Sequence, residues 1–136
     1  MIRKKLAVLM LTGVTCLAFG CGNVVKDGTE ALGEGRYDAA ETAFEEATKN
    51  GNKEVAADGY QGLGMTYYEQ EEYDKALEAF QTALDQGAEQ TQELYNLTAV
   101  CAMKTEDYAK ALECFQAGIA LAESKTGDDK TKADTA

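Results

Sequence analysis

The stretch from Leu63 to Leu84, LGMTYYEQEEYDKALEAFQTAL, decides how this chain folds. Its second half sets Tyr73, Ala76, Phe80 and Ala83 at offsets 0, 3, 7 and 10. At about 100° per residue these four fall within an arc of about 80°, one stripe of a helix. Asp, Glu, Lys, Gln and Thr fill most other positions, as a solvated face requires. The pattern returns as Tyr37, Ala40, Phe44 and Ala47, and as Tyr108, Ala111, Phe115 and Gly118, displaced by 36 and 35 residues. A fixed period of this length marks stacked units that cannot each cover their own apolar stripe.

Upstream of each unit lies a second helical segment. It is clearest at Tyr60–Tyr68, with Val24–Leu32 as its counterpart in the first unit and Leu94–Ala102 in the third. That last pairing matches Tyr60 with Leu94 and Gly64 with Thr98, and puts one extra residue in the third turn. The alanines leave room where two helices approach, and a Phe four residues on fills the gap. Gly33 and Gly35 punctuate the first pair, Gly51-Asn52 and Gly87 follow second helices, and Asp107 can cap the last one. The spacing predicts six antiparallel helices near 22–33, 37–49, 54–69, 73–86, 90–103 and 107–123.

Paired helices at this period, carrying Tyr60, Leu63, Gly64, Tyr67, Ala76, Phe80 and Ala83, resemble the tetratricopeptide repeat. The resemblance covers about residues 22 to 122. It implies an all-α, right-handed α-solenoid of three helix-turn-helix repeats (about 22–54, 55–90 and 91–124). It also implies a concave groove, lined by the first helix of each pair, that takes a peptide from a partner protein. Carried onto this sequence, the groove positions are Asp58, Gln61, Met65, Tyr68 and Glu69 in the second unit. The third contributes Gln92, Tyr95, Ala99, Ala102 and Met103, and the first Val25, Thr29 and Leu32. The basic and Asn residues with which some relatives hold a C-terminal carboxylate are missing there, so the expected ligand is an apolar or basic peptide.

The N-terminus reads as an address. Basic Arg3-Lys4-Lys5 precede a 14-residue, largely apolar run from Leu6 to Phe19, too short for a helix to span ~30 Å of hydrocarbon. That is the pattern of a secretory signal over residues 1–20. The following Gly20-Cys21 resembles a bacterial lipobox, which implies that Cys21 becomes the lipidated first residue of an extracytoplasmic chain anchored to the cell membrane. Ordinary secretory cleavage after Ala18-Phe19-Gly20 is the alternative.

Composition narrows the function. The 136 residues include no His, no Pro and a single Ser, Ser124, with a net charge of −11. Without imidazole there is no Ser-His or Cys-His couple and no His-based zinc helix. Gly62-Leu63-Gly64 lies within a helix with no strand before it, so it is no phosphate loop. Removing residues 1–20 takes three basic and no acidic residues, leaving −14, which opposes nucleic-acid binding. Catalytic residues, metal ligands and cofactors are therefore expected to be none. Cys101 and Cys114 fall where the repeat expects core, which favours free thiols over a disulfide. The polar tail at 125–136 has nothing to bury and is expected to be disordered. With no extra helix to cover the last repeat, Leu112 and Ile119 are expected to stand partly exposed, to be covered by a partner or a second copy in a homodimer. The expected function is a protein–protein adaptor, with an assembly factor or holding chaperone for pilus, envelope or secreted proteins as the alternative.

Overall fold

The computed structural model describes residues 23–133, with side-chain surroundings through Thr126. The six helices are α1 (Val24–Gly33), α2 (Tyr37–Thr48), α3 (Lys53–Glu69), α4 (Tyr73–Asp85), α5 (Gln92–Lys104) and α6 (Tyr108–Ala133). No strand occurs among the described residues. Each helix packs on the next, so three hairpins pile into an all-α solenoid.

Five of the six expected helices lie within two residues of their predicted bounds. The sixth does not stop at 123: its backbone is helical to Ala133 through much of the segment expected to be disordered. The cause is a missing stop. The α4 helix ends because Gly87 turns left-handed (φ 90°), and Ala88 N–H then donates to the Ala83 carbonyl at 2.9 Å. The residue 35 positions on is Ala122, and nothing there breaks the helix.

Within each hairpin the turn is the same three-residue device. Gly35, Glu71 and Glu106 each adopt positive φ, at 70°, 60° and 63°. The next residue donates its N–H five residues back, Arg36 to Ala31, Glu72 to Tyr67 and Asp107 to Ala102, at 2.8–2.9 Å. This is a Schellman closure repeated three times. Asn52 and Thr91 cap α3 and α5 by accepting from Glu54 N–H (2.8 Å) and Leu94 N–H (3.1 Å), and Asp107 Oδ1 accepts from Lys110 N–H at 3.1 Å.

Close packing rests on bare Cα atoms meeting aromatic rings. A methyl built on Gly28 would stand 2.7 Å from the Phe44 ring, one on Gly62 would overlap the same ring, and one on Gly64 would stand 2.5 Å from the Phe80 ring. Both rings are buried. Gly59 sits equally tight on Ala47 and the Thr48 backbone (2.8 Å), so α3 is pressed onto α2 along its length. The core hydroxyls of Thr66 and Thr98 donate to the carbonyls of Gly62 (2.8 Å) and Leu94 (2.7 Å), and no buried side-chain N or O atom among the described residues is left without a partner.

Two predictions follow from this packing. Gly64→Ala should lower unfolding free energy by about 2 kcal/mol despite better helix propensity, because the buried Phe80 ring cannot retreat. Gly118→Ala, whose methyl would meet neighbours at an ordinary 3.5 Å, should be neutral or stabilising; urea denaturation of both checks it. Glu71→Gly and Glu106→Gly should each raise stability by about 0.5–1 kcal/mol, since they relieve left-handed strain at a small entropic cost; a lower melting temperature in either would disprove the strain.

Candidate peptide groove

The identical turns fix the register between repeats. With Glu71 matched to Glu106 and Tyr67 to Ala102, the second and third units are related by 35 residues in both helices. The third turn therefore has no extra residue, and the sequence-based pairing of Tyr60 with Leu94 is one position out. The true partners are Tyr60 with Tyr95, Gly64 with Ala99 and Thr66 with Cys101. Burial agrees: Gly64 and Ala99 are both buried, as are Thr66 and Cys101. One position on a helix is a rotation of about 100°, enough to exchange groove for core.

Six of the eight candidate groove positions of the first two units surround one concavity. Val25, Thr29 and Leu32 of α1 meet Asp58, Gln61, Gly62 and Met65 of α3 around a concavity of about 320 Å³, floored by Phe44. Asp58 and Glu69 are exposed. Tyr68 instead packs edge-on against Tyr73, ring centroids 5.8 Å apart, and joins the core between α3 and α4.

In the third unit the slip matters. Ala99 and Ala102 are 0% exposed and cannot touch a ligand. Tyr95 is half-buried beside α6, its Cβ 3.5 Å from where a methyl on Gly118 would lie. Gln92 and Met103 do reach solvent, Met103 being 50% exposed. The face of α5 that lines a second concavity, of about 440 Å³, is Gln92, Glu93, Asn96, Leu97 and Val100. Four of these, shifted by 35, are Asp58, Gln61, Gly62 and Met65. The groove thus repeats one module on successive inner helices: a carboxylate, an amide three residues on, then apolar surface. The signal that finds Glu93, Asn96 and Val100 is the constant 35-residue spacing of the second helices, applied unchanged to the first.

The two junctions differ in closeness. The glycines that bring α3 onto α2, Gly59 and Gly62, are Leu94 and Leu97 in α5, and α5 packs on α4 less extensively. Whereas α1 touches α3, α5 makes no comparable contact with it. Larger side chains thus stand at the looser junction where the tighter one has glycine.

Across the first junction the Tyr67 hydroxyl donates to Glu41 Oε1 at 2.8 Å, with Lys75 Nζ 5.2 Å from the ring centre. Burial and the Glu41 carboxylate push the Tyr67 phenol up to about 12. Cys101 and Cys114 are free, buried thiols, and burial raises both, Cys101 to about 11. Neither is a ready nucleophile. No group of three or more Cys, Asp or Glu able to hold a metal ion occurs among the described residues, nor a helix long and apolar enough to cross a membrane. Cys21 lies outside the described residues.

Stacked helical hairpins with a groove lined by their first helices define a helical-repeat binding scaffold. The tetratricopeptide repeat family model matches residues 26–91 and 62–125, and the chain belongs to that family. Its repeats are of the kind that scaffold protein–protein interaction and are typically non-enzymatic. No curated protein matches the chain.

The raised phenol and thiol set an alkaline limit. Groups with folded values above their unfolded 9.0 and 10.0 stabilise fully below pH 9. That contribution should fall away between about pH 9 and pH 12 as Cys101 and then Tyr67 ionise more readily in the unfolded chain. Tyr67→Phe should cost about 1 kcal/mol at pH 7 and flatten the upper part of the decline. Melting curves across pH 8–12 test this; identical slopes for wild type and variant would remove Tyr67 from the account.

Proposed function

We propose that this protein is a membrane-anchored, extracytoplasmic adaptor of a bacterial cell envelope that captures a basic, partly apolar segment of a partner protein in its groove. The observation that carries the reading is the repeated module, Asp58, Gln61 and Met65 followed by Glu93, Asn96 and Val100. Each copy offers a carboxylate for a Lys or Arg, an amide able to pair with an extended backbone, and apolar surface for a neighbouring side chain. The overall charge of −11 favours a cationic partner over an anionic one.

Anchoring is supported by the basic start, the 14-residue apolar run and Gly20-Cys21. A lipid on Cys21 would leave the groove only a short distance from the bilayer, because α1 begins at Val24. Partners would then be membrane proteins or proteins arriving at that surface.

In intact cells, crosslinking followed by mass spectrometry should recover a dominant partner. Asp58→Lys with Glu93→Lys should reduce that recovery about tenfold, the loss expected for one or two charge-assisted contacts, with the melting temperature unchanged because both residues are exposed. Cys21→Ala should release the chain from the membrane fraction. Undiminished capture by the charge-reversed chain would move the site out of the groove. Indiscriminate capture of unfolded chains would instead favour a holding chaperone.

A further inference from the structure

The last helix exposes an apolar stripe that its counterpart keeps covered. On α4, Tyr73, Leu77, Phe80 and Leu84 are packed into the core that includes Leu94, Leu97 and Cys101 of α5. The same positions on α6 are Tyr108, Leu112, Phe115 and Ile119. Here Tyr108 is 65%, Leu112 59% and Ile119 56% exposed, and Phe115 is only half-buried. Four large apolar residues at 0, 4, 7 and 11 lie within an arc of about 60°, so they form one continuous ridge.

Two features say what covers the ridge. The first is charge. The outer flank of the α4 stripe carries Asp74 and Asp85; the corresponding residues on α6 are Ala109 and Ala120. Lys110 and Glu113 lie off the ridge and pair with each other at 2.9 Å. The flank of this ridge has thus lost two carboxylates that its covered equivalent retains, which takes two like charges per copy out of a contact between two acidic molecules. The second is symmetry. The intervals 4, 3, 4 read the same in both directions, so an antiparallel copy presents the same ridge in the same register. A 3.5-residue average repeat is also the spacing at which two helices stay in contact along their length.

We infer that α6 is a self-association helix. Two copies join through an antiparallel α6 pair in which Tyr108 meets the partner's Ile119 and Leu112 meets the partner's Phe115. Ala109 and Ala120 put only methyl groups on the flank of each helix. The contact is isologous, with its two-fold axis near residue 113, so it closes at two copies and does not propagate. The surface is separate from the peptide groove, and the inference stands without the groove reading.

The test uses the purified full-length chain in detergent. Sedimentation equilibrium should give a dimer, and Leu112→Glu with Ile119→Glu should weaken it about tenfold or more without lowering the melting temperature, since both side chains are more than half exposed. Tyr108→Cys with Ile119→Cys, oxidised beside the wild type, should yield a covalent dimer that neither single substitution gives. Within one helix those positions are about 16 Å apart and cannot bridge. A monomeric wild type, a dimer indifferent to the Glu substitutions, or equal crosslinking by the single variants would each overturn the inference; the last would indicate a parallel or head-to-tail arrangement.

Discussion

A phenyl ring lying against a bare Cα sets the scale of this molecule. Phe44 is held between Gly28 of its own hairpin and Gly62 of the next, and Phe80 lies under Gly64. The ring supplies the apolar bulk, and the glycine lets two backbones come close enough for the bulk to be shared. Glycine inside a helix costs about 1 kcal/mol relative to alanine, and burying a whole Phe offsets that cost. The alanines opposite, Ala40, Ala76 and Ala47, complete the contact by keeping out of the way; all three are fully buried. Phe115, which has no following helix among the described residues to cover it, is left partly in solvent.

Small and large residues at the same register positions also shape the groove. Gly59 and Gly62 draw α3 down onto α2, whereas Leu94 and Leu97 stand where α5 packs less extensively on α4. The Tyr67–Glu41 hydrogen bond ties the tighter junction further; at the looser one the corresponding positions are Ala102 and Leu77, which pack without a polar link. The inner surface is therefore not a uniform channel. It has a close, floored segment between α1 and α3 and a second one at α5, and both carry the same order of carboxylate, amide and apolar side chain.

Most of this architecture was legible in the sequence because the second helices repeat at a nearly constant interval, with Tyr, Ala, Phe and a small residue at each. The first helices were harder. In α5 the motif position of Gly64 is occupied by Ala99 and that of Leu63 by Thr98, so matching Leu with Leu was tempting and turned the helix by one residue. That pairing puts Ala99 and Ala102, which are fully buried, at groove positions and leaves out Glu93, Asn96 and Val100, which line the α5 concavity. Tyr68 and Tyr95 illustrate a second limit: an amphipathic ring on a helix edge satisfies packing and recognition equally well in sequence, and only coordinates show Tyr68 against Tyr73 of α4 and Tyr95 half-buried beside α6. The exposed ridge at Leu112 and Ile119 was legible, since nothing downstream in the described chain offers apolar surface to meet it.

The contrast between Gly87 and Ala122 bears on how such arrays lengthen. A left-handed Gly87 closes α4 and lets the chain reverse into α5, whereas α2 gives way to α3 with no positive φ between Lys49 and Asn52. After Ala122 neither device is present and the helix runs on, so a 35-residue unit duplicated beyond α6 would emerge from the end of a continuous rod instead of folding back onto the pile.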